Sequence, residues 1–148
     1  MVALALAALA AMAPAMAQVV FPRSQAEIVT AAGRRHVIAV ELATSADQLA
    51  QGLMFRKVMA ADAGMLFDFG RTRAISMWMK NTLIPLDMLF LDPHGRVLGI
   101  VERAVPGSLA MIESPGPVRG VLELNGGTAS RLGLEPGDRV LHPLFPAP

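Results

Sequence analysis

Short apolar runs separated by clusters of glycine, proline, aspartate and asparagine recur along most of this chain, the pattern of strands joined by tight turns. Ala26 to Ala31 and His36 to Leu42 flank Ala32-Gly33-Arg34, which predicts a first hairpin. Gln18 to Ser24, interrupted by Pro22, reads as an extended arm leading into it. Ser45 followed by Gln48 makes a capping box, and Leu49, Leu53 and Met54 recur at helical spacing, so a helix is predicted over about residues 46–55. Gly64 to Phe69 reads as a strand. Asp92-Pro93-His94-Gly95 is a turn joining Leu86–Leu91 to Arg96–Arg103 in a hairpin. Ala110–Glu113, Val118–Leu124 and Arg139–Leu144 supply further strands, with a short helix at Thr128–Leu132 ended by Gly133. Glu135-Pro136-Gly137-Asp138 is a turn into the last of them. Many short strands with two small helices predict a compact, β-rich α+β domain, barrel-like or sandwich-like.

Residues 75–91 break the pattern informatively. Ile75–Lys80 and Ile84–Leu91 are predicted to pair about a tip at Thr82-Leu83. Alternation then places Ile75, Met77, Met79, Leu86, Met88 and Phe90 on one apolar face. The opposite face carries Ser76, Trp78, Lys80 and Asp87, with Lys80 and Asp87 as diagonal neighbours beside the indole. A strand that only filled a core would not carry Lys80, Asn81 and Asp87. An aromatic platform with a few fixed polar groups suits a small polar ligand.

The N-terminal segment supplies an address. Val2 to Ala13 is almost unbroken alanine, leucine, valine and methionine, too short to span a bilayer as a helix. Ala15-Met16-Ala17 then offers small residues where a signal peptidase reads, although no Lys or Arg precedes the apolar run. The expectation is a signal peptide over residues 1–17, a single domain over 18–148, and a periplasmic or secreted product with no stable membrane insertion after cleavage. The chain has no cysteine, which excludes disulfides, thiolate metal sites and lipoprotein anchoring. Net charge is +1, with one tryptophan and no tyrosine, so the basic stripe and stacking aromatics of a nucleic-acid binder are missing.

Several blocks together resemble a known family. Gly52-Leu53-Met54-Phe55-Arg56, Gly64-Met65-Leu66-Phe67, Trp78-Met79-Lys80-Asn81-Thr82, Ile84-Pro85-Leu86-Asp87-Met88, Ser114-Pro115-Gly116-Pro117, and Val121-Leu122-Glu123-Leu124 with Gly126-Gly127 resemble, in order and spacing, the signature of domain-of-unknown-function family 192. The resemblance runs from about Ile38 to Leu141. It implies a small, β-rich, often exported domain, and it implies no activity. Its characteristic positions here include Arg56, Lys80, Asn81, Asp87 and Glu123.

The candidate ligand-binding set is therefore Trp78, Lys80, Asn81 and Asp87, with Arg56 and Glu123 as neighbours, and the expected function is non-enzymatic binding of a small polar ligand or an envelope partner. No cofactor is implied. The alternative is a hydrolase acting on carbohydrate or envelope polymer through Asp87, Glu113 and Glu123. Glu123 alternates with Leu122 and Leu124 and is expected to point away from the core, solvated or paired with Arg56 or Lys80. Met77 and Met79 offer thioethers to copper(I), a minor alternative, although both fall on the expected core face. His36, His94 and His142 are scattered, without zinc-ligand spacing. No Gly-x-Ser-x-Gly elbow is present. Gly126-Gly127-Thr128 reads as a turn into a helix cap.

Overall fold

The structure is a computed structural model that describes residues 18–148; the apolar run and processing site read at residues 1–17 lie outside the described residues. β1 (Arg23–Val29) and β2 (Arg35–Ala43) form the expected antiparallel hairpin, with Gly33 at φ 79° in its turn. Helix α1 (Ala46–Gln51) begins at Ser45 with both halves of the capping box made. It stops short of the expected residue 55, because Gly52 at φ 49° turns the chain out of helical geometry. α1 bridges β2 to β3 (Ala63–Arg73), and these two strands pair in parallel.

The remaining strands are β4 (Ser76–Met77), β5 (Leu86–Leu91), β6 (Val97–Ala104), β7 (Ile112–Glu113), β8 (Val118–Asn125) and β9 (Arg139–Leu141), with helix α2 (Thr128–Leu132) between the last two. Seven strands make one sheet in the order β6-β5-β8-β3-β2-β1-β9, and β4 and β7 make a separate pair. The large sheet curls until its two ends meet. Val97 N–H donates to the Asp138 carbonyl (2.8 Å), Gly137 N–H to the Val97 carbonyl (2.8 Å), and Val140 N–H to the Gly95 carbonyl (2.7 Å). These bonds satisfy backbone groups that an open edge would expose. Asp138 fixes the preceding turn by accepting from Ala31 and Glu135 N–H.

The two faces of the curled sheet bury two separate apolar clusters. One, including Ile28, Ile38, Val40, Leu66, Leu89, Leu122, Leu124 and Val140, fills the inside of the curl. The other packs Met65, Phe67, Met88, Phe90 and Val121 on the outer face under Leu53, Ile75 and Met79. Strands covered on both faces read as continuous apolar runs, which is why all six residues of β5 are buried.

The hairpin expected at residues 75–91 does not form. β4 pairs with β7, Ser76 opposite Glu113, while β5 pairs with β6 and β8. Residues 78–85 are a loop between them. The apolar face was nevertheless read correctly in composition: Ile75, Met79, Leu86, Met88 and Phe90 are all buried in the outer cluster, with Met77 packed against it. The polar face was not. Lys80 is exposed on the loop, whereas Asp87 is fully buried in β5.

Candidate functional site

The 78–82 loop is held in place by its own residues and by two neighbouring loops. Met79, buried completely, anchors it. Met79 N–H donates to the Ser108 carbonyl (3.1 Å), and Gly107 N–H donates to both the Met79 and Thr82 carbonyls (3.0 Å each). The Thr82 hydroxyl donates to the Lys80 carbonyl (3.2 Å). Asn81 takes φ 54°, a left-handed conformation that asparagine tolerates better than most residues, and its carbonyl accepts from Phe55 N–H (2.8 Å). Pinned this way, Trp78 stays 43% exposed with the Lys80 Nζ 5.0 Å from its ring centroid, within cation–π range.

Beneath this loop lies a cavity of about 230 Å³ between α1, the loop and the outer sheet face. Leu49 and Leu53 line one side, Phe67 and Phe69 the sheet side, and Met77, Trp78 and Lys80 the loop side. The two phenylalanine rings stack with centroids 6.2 Å apart.

Glu123 also lines the cavity. It sits on β8 between Met65 of β3 and Met88 of β5 in register, and it is 4% exposed. Among the described residues no side chain or backbone group hydrogen-bonds its carboxyl, and burial alone pushes that carboxyl up to a pKa of about 8. The acid is therefore mostly protonated at neutral pH. The expectation that Glu123 points away from the core into solvent is overturned. Alternation does place it opposite Leu122 and Leu124, but the sheet is covered on both faces, so its other side is a second interior.

The other candidate residues have different surroundings. Asp87 Oδ1 accepts from Arg103 N–H (2.8 Å) and Gly127 N–H (3.0 Å), and Oδ2 accepts from Ala129 N–H (2.7 Å). Asp87 thus ties β5 to the start of α2 and to the end of β6, and it does not neighbour Lys80 as the hairpin register required. Arg56 forms an ion pair with Glu41 (Nη1–Oε2 2.7 Å) and lies 5.8 Å from the centroid of the Phe21 ring. It borders a separate groove of about 320 Å³ with Arg23, Val58 and Met59, which shares no lining residue with the Glu123 cavity. Glu113 accepts a hydrogen bond from the Ser76 hydroxyl on the small sheet. Three acids read as convergent are thus dispersed, and Glu123 is the one carboxyl lining the cavity. Met77 lines the cavity while Met79 is buried in the core, so the two thioethers do not face one site. Among the described residues no cluster of three histidine or carboxylate side chains is placed to hold a metal ion.

Of the sequence candidates, the structure brings together Trp78, Lys80 and Glu123 and makes Asn81 the bend that presents them. The lining by Phe67 and Phe69 was missed. Their alternation within Gly64 to Phe69 puts both on one strand face, a signal available in the sequence.

A family model described as DUF192, uncharacterized ACR, COG1430, matches residues 27–142. A solved structure from Sinorhizobium meliloti 1021, described as "a putative transcription regulator", is 53% identical, with a TM-score of 0.82 over 84% of this chain and 97% of that one. A protein of unknown function from Novosphingobium aromaticivorans DSM 12444 is 39% identical, with a TM-score of 0.80 over 89% of this chain and 94% of that one. No curated protein matches.

Proposed function

This chain belongs to the DUF192 family, and because that membership carries no activity with it, we propose from the geometry that the protein is a non-enzymatic binder of a small polar ligand, held in the Trp78–Lys80–Glu123 cavity. One observation carries this reading: a buried carboxyl without a hydrogen-bond partner forms part of the wall of a cavity whose mouth holds an exposed indole and a lysine. A carboxyl in a cavity wall with no partner from the fold leaves its donor and acceptor sites open to a ligand group. Aromatic walls with a few fixed polar groups are the usual make-up of such sites. Two-carboxylate hydrolysis would need a second acid in the same cavity, and Asp87 is committed to backbone amides.

The processing pattern at residues 1–17 supports an exported product, so the proposed ligand is one met in the periplasm or outside the cell. The description of the Sinorhizobium relative as a regulator finds little support in this chain: the helices among the described residues have six and five residues, too short to serve as a groove-reading element.

The test is a thermal-shift screen of the purified protein against sugars, cell-wall fragments, nucleotides, organic anions and copper(I). A ligand that binds only the folded state raises the melting temperature by mass action. A shift with one chemical class that is lost on Trp78→Ala supports the site. A shift that survives Trp78→Ala unchanged places binding elsewhere and overturns it. Exposed apolar side chains on the 78–85 loop (Leu83) and on the 105–111 segment bonded to it (Val105, Leu109 and Met111) favour a second reading, an envelope protein docked there. That reading gains if no small molecule shifts the melting temperature and a partner co-purifies.

A further inference from the structure

Resting on the cavity reading above, we propose that the ligand is a small organic monoanion with an apolar body and a neutral hydrogen-bonding group at its far end. Its carboxylate would sit at Lys80, its body between the Phe67/Phe69 pair and Trp78, and its far polar group against the Glu123 carboxyl.

The charges around the cavity choose the sign. Lys80 is the one basic residue in the lining and Glu123 the one acidic residue. The elements packed around Glu123 carry few other charges. On β3, Arg73 stacks over Phe69 at 5.5 Å from the ring centroid, adding a second cation beside the lining, and Asp68 is neutralised by Arg119 of β8 (Nε–Oδ1 2.7 Å). On β5, Asp87 is enclosed by backbone amides. On the small sheet, Glu113 accepts from Ser76. The one charged side chain of α1, Asp47, is exposed and outside the lining. With Glu123 protonated, the cations Lys80 and Arg73 border the cavity and its lining holds no ionised acid, a balance that favours an anion over a cation.

Size and polarity choose the rest. About 230 Å³ holds roughly seven or eight water-sized groups, below the range of drug-sized ligands. The carboxylate is cheapest to place at the exposed Lys80, where water still reaches it, and costliest at the deep end beside Met65 and Met88. A neutral hydroxyl or carbonyl there meets Glu123, which in its protonated form both donates and accepts. Protonation of Glu123 and binding of the anion are then linked. The ligand binds the neutral acid, so affinity is full below pH 8 and falls as pH rises through that value.

The test uses three probes of one shape, free of ultraviolet absorbance: 4-hydroxycyclohexanecarboxylate, the neutral 4-(hydroxymethyl)cyclohexanol and the cationic 4-(aminomethyl)cyclohexanol. Trp78 is the chain's sole tryptophan and there is no tyrosine, so its fluorescence reports the site directly. The carboxylate is expected to bind at least tenfold more tightly than the other two at pH 7. Its affinity should fall about tenfold between pH 7 and pH 9, a fall that Glu123→Gln abolishes. Lys80→Gln should weaken the carboxylate several-fold and leave the neutral probe unchanged, with melting temperature showing that each variant folds. Tighter or equal binding of the alcohol or amine overturns the anion proposal and leaves the cavity reading standing. No response to any of the three, in a folded protein, overturns both.

Discussion

Replacing Glu123 with glutamine should stabilise the protein at neutral pH, and the pH dependence of that gain tests the central claim about the cavity. In the unfolded chain this carboxyl has its ordinary pKa of 4.5, and in the fold burial lifts it to about 8. Below pH 4.5 both states hold the proton and the group contributes nothing to the pH dependence. Between pH 4.5 and 8 the unfolded state releases the proton and the folded state keeps it, so stability falls as pH rises. The slope approaches 1.36 kcal/mol per pH unit, and over the 2.5 units to pH 7 the loss is about 3 kcal/mol. Glutamine has nearly the same shape and cannot ionise. The assay is urea unfolding of both proteins at intervals from pH 4 to pH 8, followed by circular dichroism. Asp68 and Glu27, whose pKa values are lowered mainly through their arginine partners, and His142, lowered by burial, also titrate, but they are common to both proteins and cancel in the difference. The difference should be close to zero at pH 4, reach about 3 kcal/mol in favour of glutamine at pH 7, and level off above pH 8. A difference that stays flat with pH, or a glutamine variant less stable at pH 7, would refute the neutral, unpartnered acid.

Asp87→Ala should cost about 2–5 kcal/mol, since one buried and two part-buried N–H groups lose their acceptor, against a total stability of about 5–15 kcal/mol; a large fall in the urea midpoint is expected, and a change below about 1 kcal/mol would show that the backbone finds other acceptors. Arg56→Ala should shift stability by no more than about 1 kcal/mol, because its pair with Glu41 is partly exposed, and it should leave cavity binding untouched in the fluorescence titration. Gly120→Ala should destabilise by about 1–3 kcal/mol or more, as its Cβ would meet the Phe67 carbonyl oxygen and the Phe145 ring; a thermal melt measures it.

Strand and helix positions were largely legible in the sequence because they rest on local chemistry. The Ser45–Gln48 capping box, the Asp92–Gly95 turn and the Thr128–Leu132 helix all occur where the pattern placed them. The 75–91 hairpin failed because pairing is a long-range choice. β5 gains more by lying between β6 and β8, fully covered, than by folding back on a two-residue strand. The error moved the polar residues and not the apolar ones, since burial of Met79, Met88 and Phe90 is satisfied by either pairing. For the same reason Asp87 was misread: a carboxylate in an apolar run signals that something is bound to it, and here the partners are backbone amides from forty residues away, which no local pattern contains. The sequence singles out Glu123 but puts it in solvent, because alternation reports which face a side chain takes and not whether that face is wet.

The departures from ideal geometry gather around the same few loops. Among the described residues the non-glycine positions with positive φ are Phe55 (66°), Asn81 (54°) and Arg103 (51°). Phe55 and Asn81 are joined by a backbone hydrogen bond on the rim of the cavity, and Arg103 N–H is held by Asp87. A bulky residue in this region is strained, and such conformations cost about 1–3 kcal/mol each. Phe55 gains no burial in return, for its side chain is 64% exposed. Added to the roughly 3 kcal/mol that the Glu123 carboxyl costs at neutral pH, the strain at Phe55 and Asn81 gives the cavity region a penalty comparable to a sizeable share of a domain's net stability, while Arg103 lies apart beside Gly127. The inner core of the curled sheet and the Asp87 ties can sustain it, but neither requires it, since glutamine at 123 or glycine at 55 would serve the fold as well. A cost concentrated at one cavity and avoidable by conservative changes is the pattern expected where a site's chemistry, and not the scaffold's stability, dictates the residues.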